Sequence, residues 1–120
     1  MRLFFLVIFA VTFLSCIEDV NKKLIIGEWL GLSWSVAEGG DYNERDHEGF
    51  SFIFNGDGTY SATFGNSDES GTYWVEREKL YTTAQGKTQK MVKILTINEE
   101  MMTIQMNRGG TLELLELKRK

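Results

Sequence analysis

"FSFIFNGDGTYSATFG" (residues 50–65) decides the fold class. Phe50, Phe52 and Phe54 take alternate positions, Asn55–Gly58 supplies a tight turn, and Tyr60, Ala62 and Phe64 alternate on the return. Period two on both sides of an Asn/Asp/Gly turn is the pattern of a β-hairpin with one buried face. A one-residue slip would carry all of those side chains to the opposite face, so the pairing register is strongly specified.

The same rhythm extends outward in both directions. Upstream, "EWLGLSWSVA" (28–37) reads as a strand and "AEGGDYNERDHEG" (37–49) as a long polar loop. Downstream, "NSDES" (66–70) reads as a loop before "GTYWVE" (71–76). Further strands are expected at "KLYTTA" (79–84), "KMVKILTI" (90–97), "MMTIQM" (101–106) and "TLELLELK" (111–118). The chain has no proline, so its turns rest on Gly, Asn and Asp in short connections such as "QGKTQ", "NEE" and "NRGG". The pattern predicts an all-β domain over residues 27–120, a small eight-stranded antiparallel up-and-down barrel. A short helix or tether over residues 16–26, helical from about Glu18 to Leu24, is expected to precede it.

The first residues read as an address rather than as fold. Met1 and Arg2 are followed by "LFFLVIFAVTFL" (3–14), twelve residues without a charge. That length is short of the roughly 30 Å hydrocarbon core of a bilayer and suits the apolar region of a secretory signal. Ser15 is small, and Cys16 is the single cysteine of the chain. This stretch resembles the lipobox of bacterial lipoproteins. The resemblance implies that residues 1–15 are a cleaved signal peptide and that Cys16 becomes a lipidated N-terminus holding the protein to a membrane. A secreted protein with a spare thiol and an uncleaved N-terminal anchor are the competing readings. The lone cysteine has no partner for a disulfide and would be a liability in an oxidising compartment, which favours lipidation. Glu18 and Asp19 resemble the surface-export signal of some Gram-negative lipoproteins, and equally suit the start of a helix over "IEDVNKKLI". The expected location is the outer membrane of the cell envelope, with exposure at the cell surface.

Charge narrows the partners. The chain carries 17 Asp+Glu against 13 Lys+Arg, a net charge of −4. Loss of residues 1–15 leaves 105 residues, one domain, with Lys+Arg reduced to 12 and a net charge of −5. Such a surface repels phosphate backbones, and no nucleic-acid partner is expected. A monomer is expected.

Three segments carry a further resemblance. "GEW" (27–29) looks like the G-x-W start of a lipocalin first strand, while "FNGDGTY" (54–60) and "GTYWV" (71–75) are similar to segments of one bacterial group. Over about Leu24 to Lys118 the chain resembles the small bacterial lipoproteins with a lipocalin-like (calycin-type) domain. The resemblance implies a barrel that binds a small apolar or amphipathic molecule, and an arginine, Arg119 or Arg108, packed over the first tryptophan.

An eight-stranded barrel is just wide enough to fill with side chains or to hold one small ligand. Trp29, Phe50, Phe52, Phe54, Tyr60, Phe64, Tyr73, Trp74 and Tyr81 are available for that space. Rings of that bulk can plug it, which makes core the favoured role. If the interior stays open, Trp29, Phe52, Tyr60, Phe64 and Trp74 are the expected lining. The first strand leaves two faces open: Trp29 inward with Gly31, Ser33 and Ser35, or Leu30, Leu32 and Trp34 inward. A bulge at Gly31 would switch between them. The alternative to ligand binding is a plugged scaffold whose loops meet a protein or glycan, with Asp41, Glu44, Asp46, His47 and Glu48 as the contact loop.

Other chemistry is thin. One histidine among flexible carboxylates lacks the spacing of a metal site, so no metal or cofactor is expected. Asn55 and Asp57 in "NGDGT" are better explained by a turn than by calcium, which needs a longer ligand frame. Met101, Met102 and Met106 suit core packing better than copper. No nucleophile-elbow pattern is present, and the chain is not expected to be an enzyme.

Overall fold

The computed structural model describes residues 20–120. The leader (1–15), Cys16, Glu18 and Asp19 lie outside the described residues. A short helix occupies 20–24, the described part of the expected Glu18–Leu24 helix, and Ile25 N–H closes onto Asn21 O at 3.1 Å. Nine antiparallel strands follow: β1 (Gly27–Glu38), β2 (Asp41–Glu44), β3 (Phe50–Phe54), β4 (Thr59–Phe64), β5 (Ser67–Glu76), β6 (Lys79–Ala84), β7 (Lys90–Ile97), β8 (Met101–Arg108) and β9 (Thr111–Arg119).

Strands β3 to β9 form a meander, and β1 pairs with both β3 and β9, closing an eight-stranded barrel. The expected fold class is the observed one. Strand β2 is an addition. It continues the line of β3 along the edge of β1, since Gly27–Leu30 pair with β3 and Ser35–Glu38 pair with β2. Two parts of the chain expected to be loops are therefore strand. Residues 37–44 form a hairpin over Gly39–Gly40, and Ser67–Ser70 open β5 after a turn at Gly65–Asn66. Both stretches lie beyond the core, so neither face needs apolar residues and their composition reads as loop.

The question of the first strand is answered by a bulge. Opposite β9, Gly31 pairs with Leu117 and Ser33 with Glu116, leaving Leu32 as the extra residue. Trp29 faces in below the bulge and Trp34 faces in above it, while Leu32 is exposed. Gly31 is needed there because a Cβ would sit 2.5 Å from the Phe50 ring. A second register shift, between Ile94 and Thr96, lets Ile94 and Ile97 both meet the core.

The lower part of the barrel is filled. Ile25, Trp29, Phe54, Leu80, Met102, Leu115 and Leu117 are its most deeply buried side chains. Phe52 stacks on Phe54 with centroids 5.7 Å apart, and Phe54 meets Tyr73 edge-on at 4.9 Å. Met102 faces this core and Met106, two steps along the same alternation, is partly buried toward the upper end, whereas Met101 points outward because it stands one position from Met102 on the same strand. The hairpin turn is as the sequence implies: Asp57 Oδ1 accepts from Thr59 N–H at 3.0 Å and Thr59 Oγ1 at 2.6 Å. Those bonds hold the Asp57 carboxyl below its ordinary range.

Candidate functional site

The two ends of the barrel differ. At the lower end Arg119 lies over the Trp29 ring, 4.2 Å from its centroid, and ties three segments together through Leu24 O, Ile26 O and Glu99 O. Of the two arginines open to that role, Arg119 takes it. Arg108 lies instead over Trp34, at 5.5 Å, beside Arg45 at 4.9 Å. Trp29 Nε1 donates to Ile25 O at 2.8 Å and is sealed from solvent.

At the upper end the interior opens into a cavity of about 280 Å³. Strands supply its wall in alternation: Trp34 from β1, Phe52 from β3, Tyr60 and Phe64 from β4, Glu69 from β5 and Thr82 from β6. Leu80 from β6, Lys90 and Val92 from β7 and Ile104, Met106 and Arg108 from β8 complete it. Wider hollows of about 520 and 650 Å³ lie beside β4–β6, but small, polar and charged residues line them, with Tyr60 the one ring among the two.

Two carboxylates face inward at this end, and both are engaged. Tyr60 OH donates to Glu69 Oε2 at 2.7 Å. Glu113 is 3% exposed, on the inward alternation of β9 with Leu115 and Leu117. Trp34 Nε1 donates to Glu113 Oε1 at 2.8 Å, Arg45 Nη1 reaches the same oxygen at 3.5 Å, and Arg108 Nε faces Oε2 at 3.2 Å. Oε2 makes no hydrogen bond within the protein, so the Arg108 contact is an ion pair only. A buried carboxylate persists only when such partners offset its desolvation.

Burial, and then the Glu69 carboxylate, hold the Tyr60 phenol above its ordinary range. The unfolded chain loses that proton near pH 10 while the folded chain keeps it, so stability falls as pH rises past about 10. Urea midpoints measured from pH 8.5 to 11 should show this slope, and Tyr60→Phe should flatten it. An unchanged slope in that variant would mean Tyr60 titrates normally.

Phe52, Tyr60 and Phe64 thus stand where the sequence places them, on the cavity wall. Trp29 and Trp74 do not. Trp29 belongs to the sealed end, and Trp34 stands in the wall instead. Trp74 is 48% exposed on the outer surface, stacked on Tyr81 at 4.0 Å. The alternation forces this: Tyr73 and Val75 meet the core, so Trp74 between them points out, and Tyr81 points out between Leu80 and Thr82. Asp41 and Glu44 are on β2, and Asp46, His47 and Glu48 follow it on the exposed return to β3. The His47 ring packs edge-on against Phe50 at 5.1 Å. Among the described residues no three His, Cys, Asp or Glu side chains gather in a way that could hold a metal ion.

The charged site residues missed in the sequence are Glu69, Glu113, Lys90 and Arg45, while Arg108 was considered there only as a cover for the first tryptophan. Glu113 had a signal, since it shares the alternation of Leu115 and Leu117. Arg45 had none, because its place depends on β2.

Residues 25–104 match the family model described as a lipocalin-like domain. Among solved structures, the chain is similar to a protein of Bacteroides eggerthii DSM 20697 described as uncharacterized, at TM-score 0.58 and 12% identity, covering 79% of this chain and 98% of that one. It is also similar to a lipocalin-like protein of Bacteroides uniformis ATCC 8492, at TM-score 0.55 and 15% identity, covering 80% of this chain and 97% of that one. No protein of curated function matches the sequence.

Proposed function

Because the chain belongs to the lipocalin-like domain family, we propose that it is a lipid-anchored protein of the cell envelope whose barrel holds one small amphipathic molecule. The observation that carries the binding role is the contrast between the barrel's ends. The lower end is plugged by Trp29 under Arg119, and the upper end keeps an apolar cavity of about 280 Å³ with a Tyr60–Glu69 pair and two cations on its wall. Small-molecule sites have this character: concave, mostly apolar, with a few placed polar groups. The chain acts as a monomeric carrier or sensor rather than as an enzyme. The anchor is supported by the order of Arg2, the apolar run 3–14, Ser15 and Cys16. Glu18 and Asp19 favour the outer membrane and its outer leaflet.

The test has two readouts on one protein. A neutral apolar probe titrated into it should change tryptophan emission in a saturable way. Trp34→Phe should remove that change and the outward Trp74→Ala should leave it. A fatty-acid label should mark the wild-type chain in the membrane fraction and be lost in Cys16→Ala. Equal labelling of the two sinks the anchor, and a response that survives in Trp34→Phe sinks the cavity as the binding site.

A further inference from the structure

We propose that the upper cavity selects an organic anion of about ten non-hydrogen atoms, its charged head held by Lys90 and Arg108 and its apolar body lying along Trp34, Phe64 and Met106. The inference rests on the binding role given above and names the class of ligand.

Charge at the mouth carries the argument. The protein as a whole is acidic, at −4, yet Lys90 and Arg108 line this end of the barrel and Arg45 lies beside them over Trp34. The facing carboxylates are already committed. Glu113 takes Trp34 Nε1, Arg45 and Arg108, and Glu69 takes the Tyr60 hydroxyl. Two arginines therefore share one carboxylate. The Lys90 ammonium has no hydrogen-bond or ion-pair partner among the described residues, and Arg108 uses only Nε there, leaving the rest of its guanidinium without an acceptor. The two cations stand on adjacent strands β7 and β8, both on the wall of the same cavity. A surplus of positive charge beside low-dielectric walls concentrates anions there. A cation in that place would meet Lys90 and the outer face of the Arg108 guanidinium, and a neutral head would leave Lys90 without a counter-charge.

The shape adds the size. A volume of about 280 Å³ corresponds to roughly nine waters at their liquid share of about 30 Å³ each, or about ten atoms of a packed organic molecule. The Trp34 ring stands at the edge of the cavity, tied through Nε1 to the buried Glu113 carboxylate and lined by Arg45 and Arg108 at 4.9 and 5.5 Å from its centroid. Polar and apolar contacts then fall in the order a single-headed amphiphile needs, with cations at the rim and rings below it.

The experiment compares four eight-carbon probes, octanoate, octyl sulfate, octanol and octylamine. Each is titrated into the full-length protein in nanodiscs of zwitterionic lipid, with empty nanodiscs as blank, and read by tryptophan emission. Octanoate and octyl sulfate are expected to bind at least tenfold more tightly than octanol, and octylamine most weakly. Octyl sulfate matching octanoate identifies a general anion site, and preference for octanoate identifies a carboxylate site. Lys90→Gln, an exposed change with no ion pair to lose, should weaken octanoate at least threefold and leave octanol unchanged. Adding Arg108→Gln should bring octanoate to the level of octanol. Equal binding of octanol and octanoate, or tighter binding of octylamine, overturns the anion inference and leaves the binding role standing. Absence of saturable binding by all four, octanol included, overturns both.

Discussion

Phe54→Ala is expected to lower the stability of the barrel by about 3–5 kcal/mol, the range for truncating a buried phenylalanine where the surroundings collapse little. Phe54 is 1% exposed and its ring is shared by several neighbours. Phe52 stacks on it with planes 3° apart, Tyr60 stacks at 6.1 Å, and Tyr73 meets it edge-on. Relaxation into the space is blocked because those neighbours are themselves fixed. Tyr60 is held by Glu69, and Tyr73 donates its hydroxyl to Asn55 O at 2.7 Å. The paired control is Ile53→Ala, one residue away and 37% exposed on the outer surface, for which a loss below about 1.5 kcal/mol is expected from partial burial alone. Urea unfolding followed by tryptophan emission reads both. A Phe54 loss below about 1 kcal/mol, or one no larger than that of Ile53, would place the hairpin in the opposite register.

That contrast between neighbours is what the sequence made legible. Phe50, Phe52 and Phe54 alternate against Ser51 and Ile53 beside an Asn-Gly-Asp-Gly turn whose residues tolerate the positive φ a tight turn needs, so strand, face and register follow together. The closed barrel follows in the same way from short connections between strands of alternating pattern. What period two cannot show is a place where the period breaks. Trp29 and Trp34 are five apart and cannot share a face of a regular strand, yet both are buried because Leu32 bulges outward. The near equivalence of the two candidate faces in "GEWLGLSWS" was the trace of that bulge. Trp74 shows the converse error. Aromatic bulk suggested an interior role, but Tyr73 and Val75 hold the inward positions and the larger ring is excluded by geometry.

The rim is less legible for a different reason. β2 and the start of β5 bury no apolar side chain, so backbone pairing largely makes them strands, and pairing leaves no mark on composition. The site depends on that rim. Arg45 reaches Glu113 only because its N–H bonds Trp34 O at 2.8 Å, just beyond the end of β2. A charged residue on an inward alternation, such as Glu113, is the one part of the site that hydrophobic patterning marks, by its exception to the pattern.

Arg119→Met is expected to cost about 3 kcal/mol, the second large effect, although the residue touches no ligand. Its guanidinium donates to Ile26 O at 2.8 Å through Nη1, to Glu99 O at 2.6 Å through Nε, and to Leu24 O through Nη2. Those carbonyls belong to the end of the helix, the entry to β1 and the β7–β8 turn, which this one side chain joins beside the Trp29 Nε1–Ile25 O bond and the backbone bonds from Arg119 N–H to Glu100 O and from Lys120 N–H to Glu28 O. The Leu24 carbonyl also lies at the negative end of the short helix, where a cation is favoured. Hydrogen bonds from a charged donor contribute about 1.5–3 kcal/mol each, offset in part by water reaching the freed carbonyls, and the contact with the Trp29 face adds about 0.5–2 kcal/mol. Methionine keeps most of the side-chain length, so the loss reports the guanidinium rather than a cavity. Arg119→Lys should recover less than half of it, because a single ammonium cannot reach three carbonyls in fork geometry while lying flat on an indole. Gly27 is bound to the same arrangement: it adopts φ +134°, and a Cβ there would come within 2.6 Å of Arg119 Nη1. Amide exchange locates the damage. Protection should fall around residues 21–29 and 98–101 in Arg119→Met while the β4–β6 amides stay protected. A variant within 1 kcal/mol of the parent, or one rescued fully by lysine, would show that the barrel closes without this clamp.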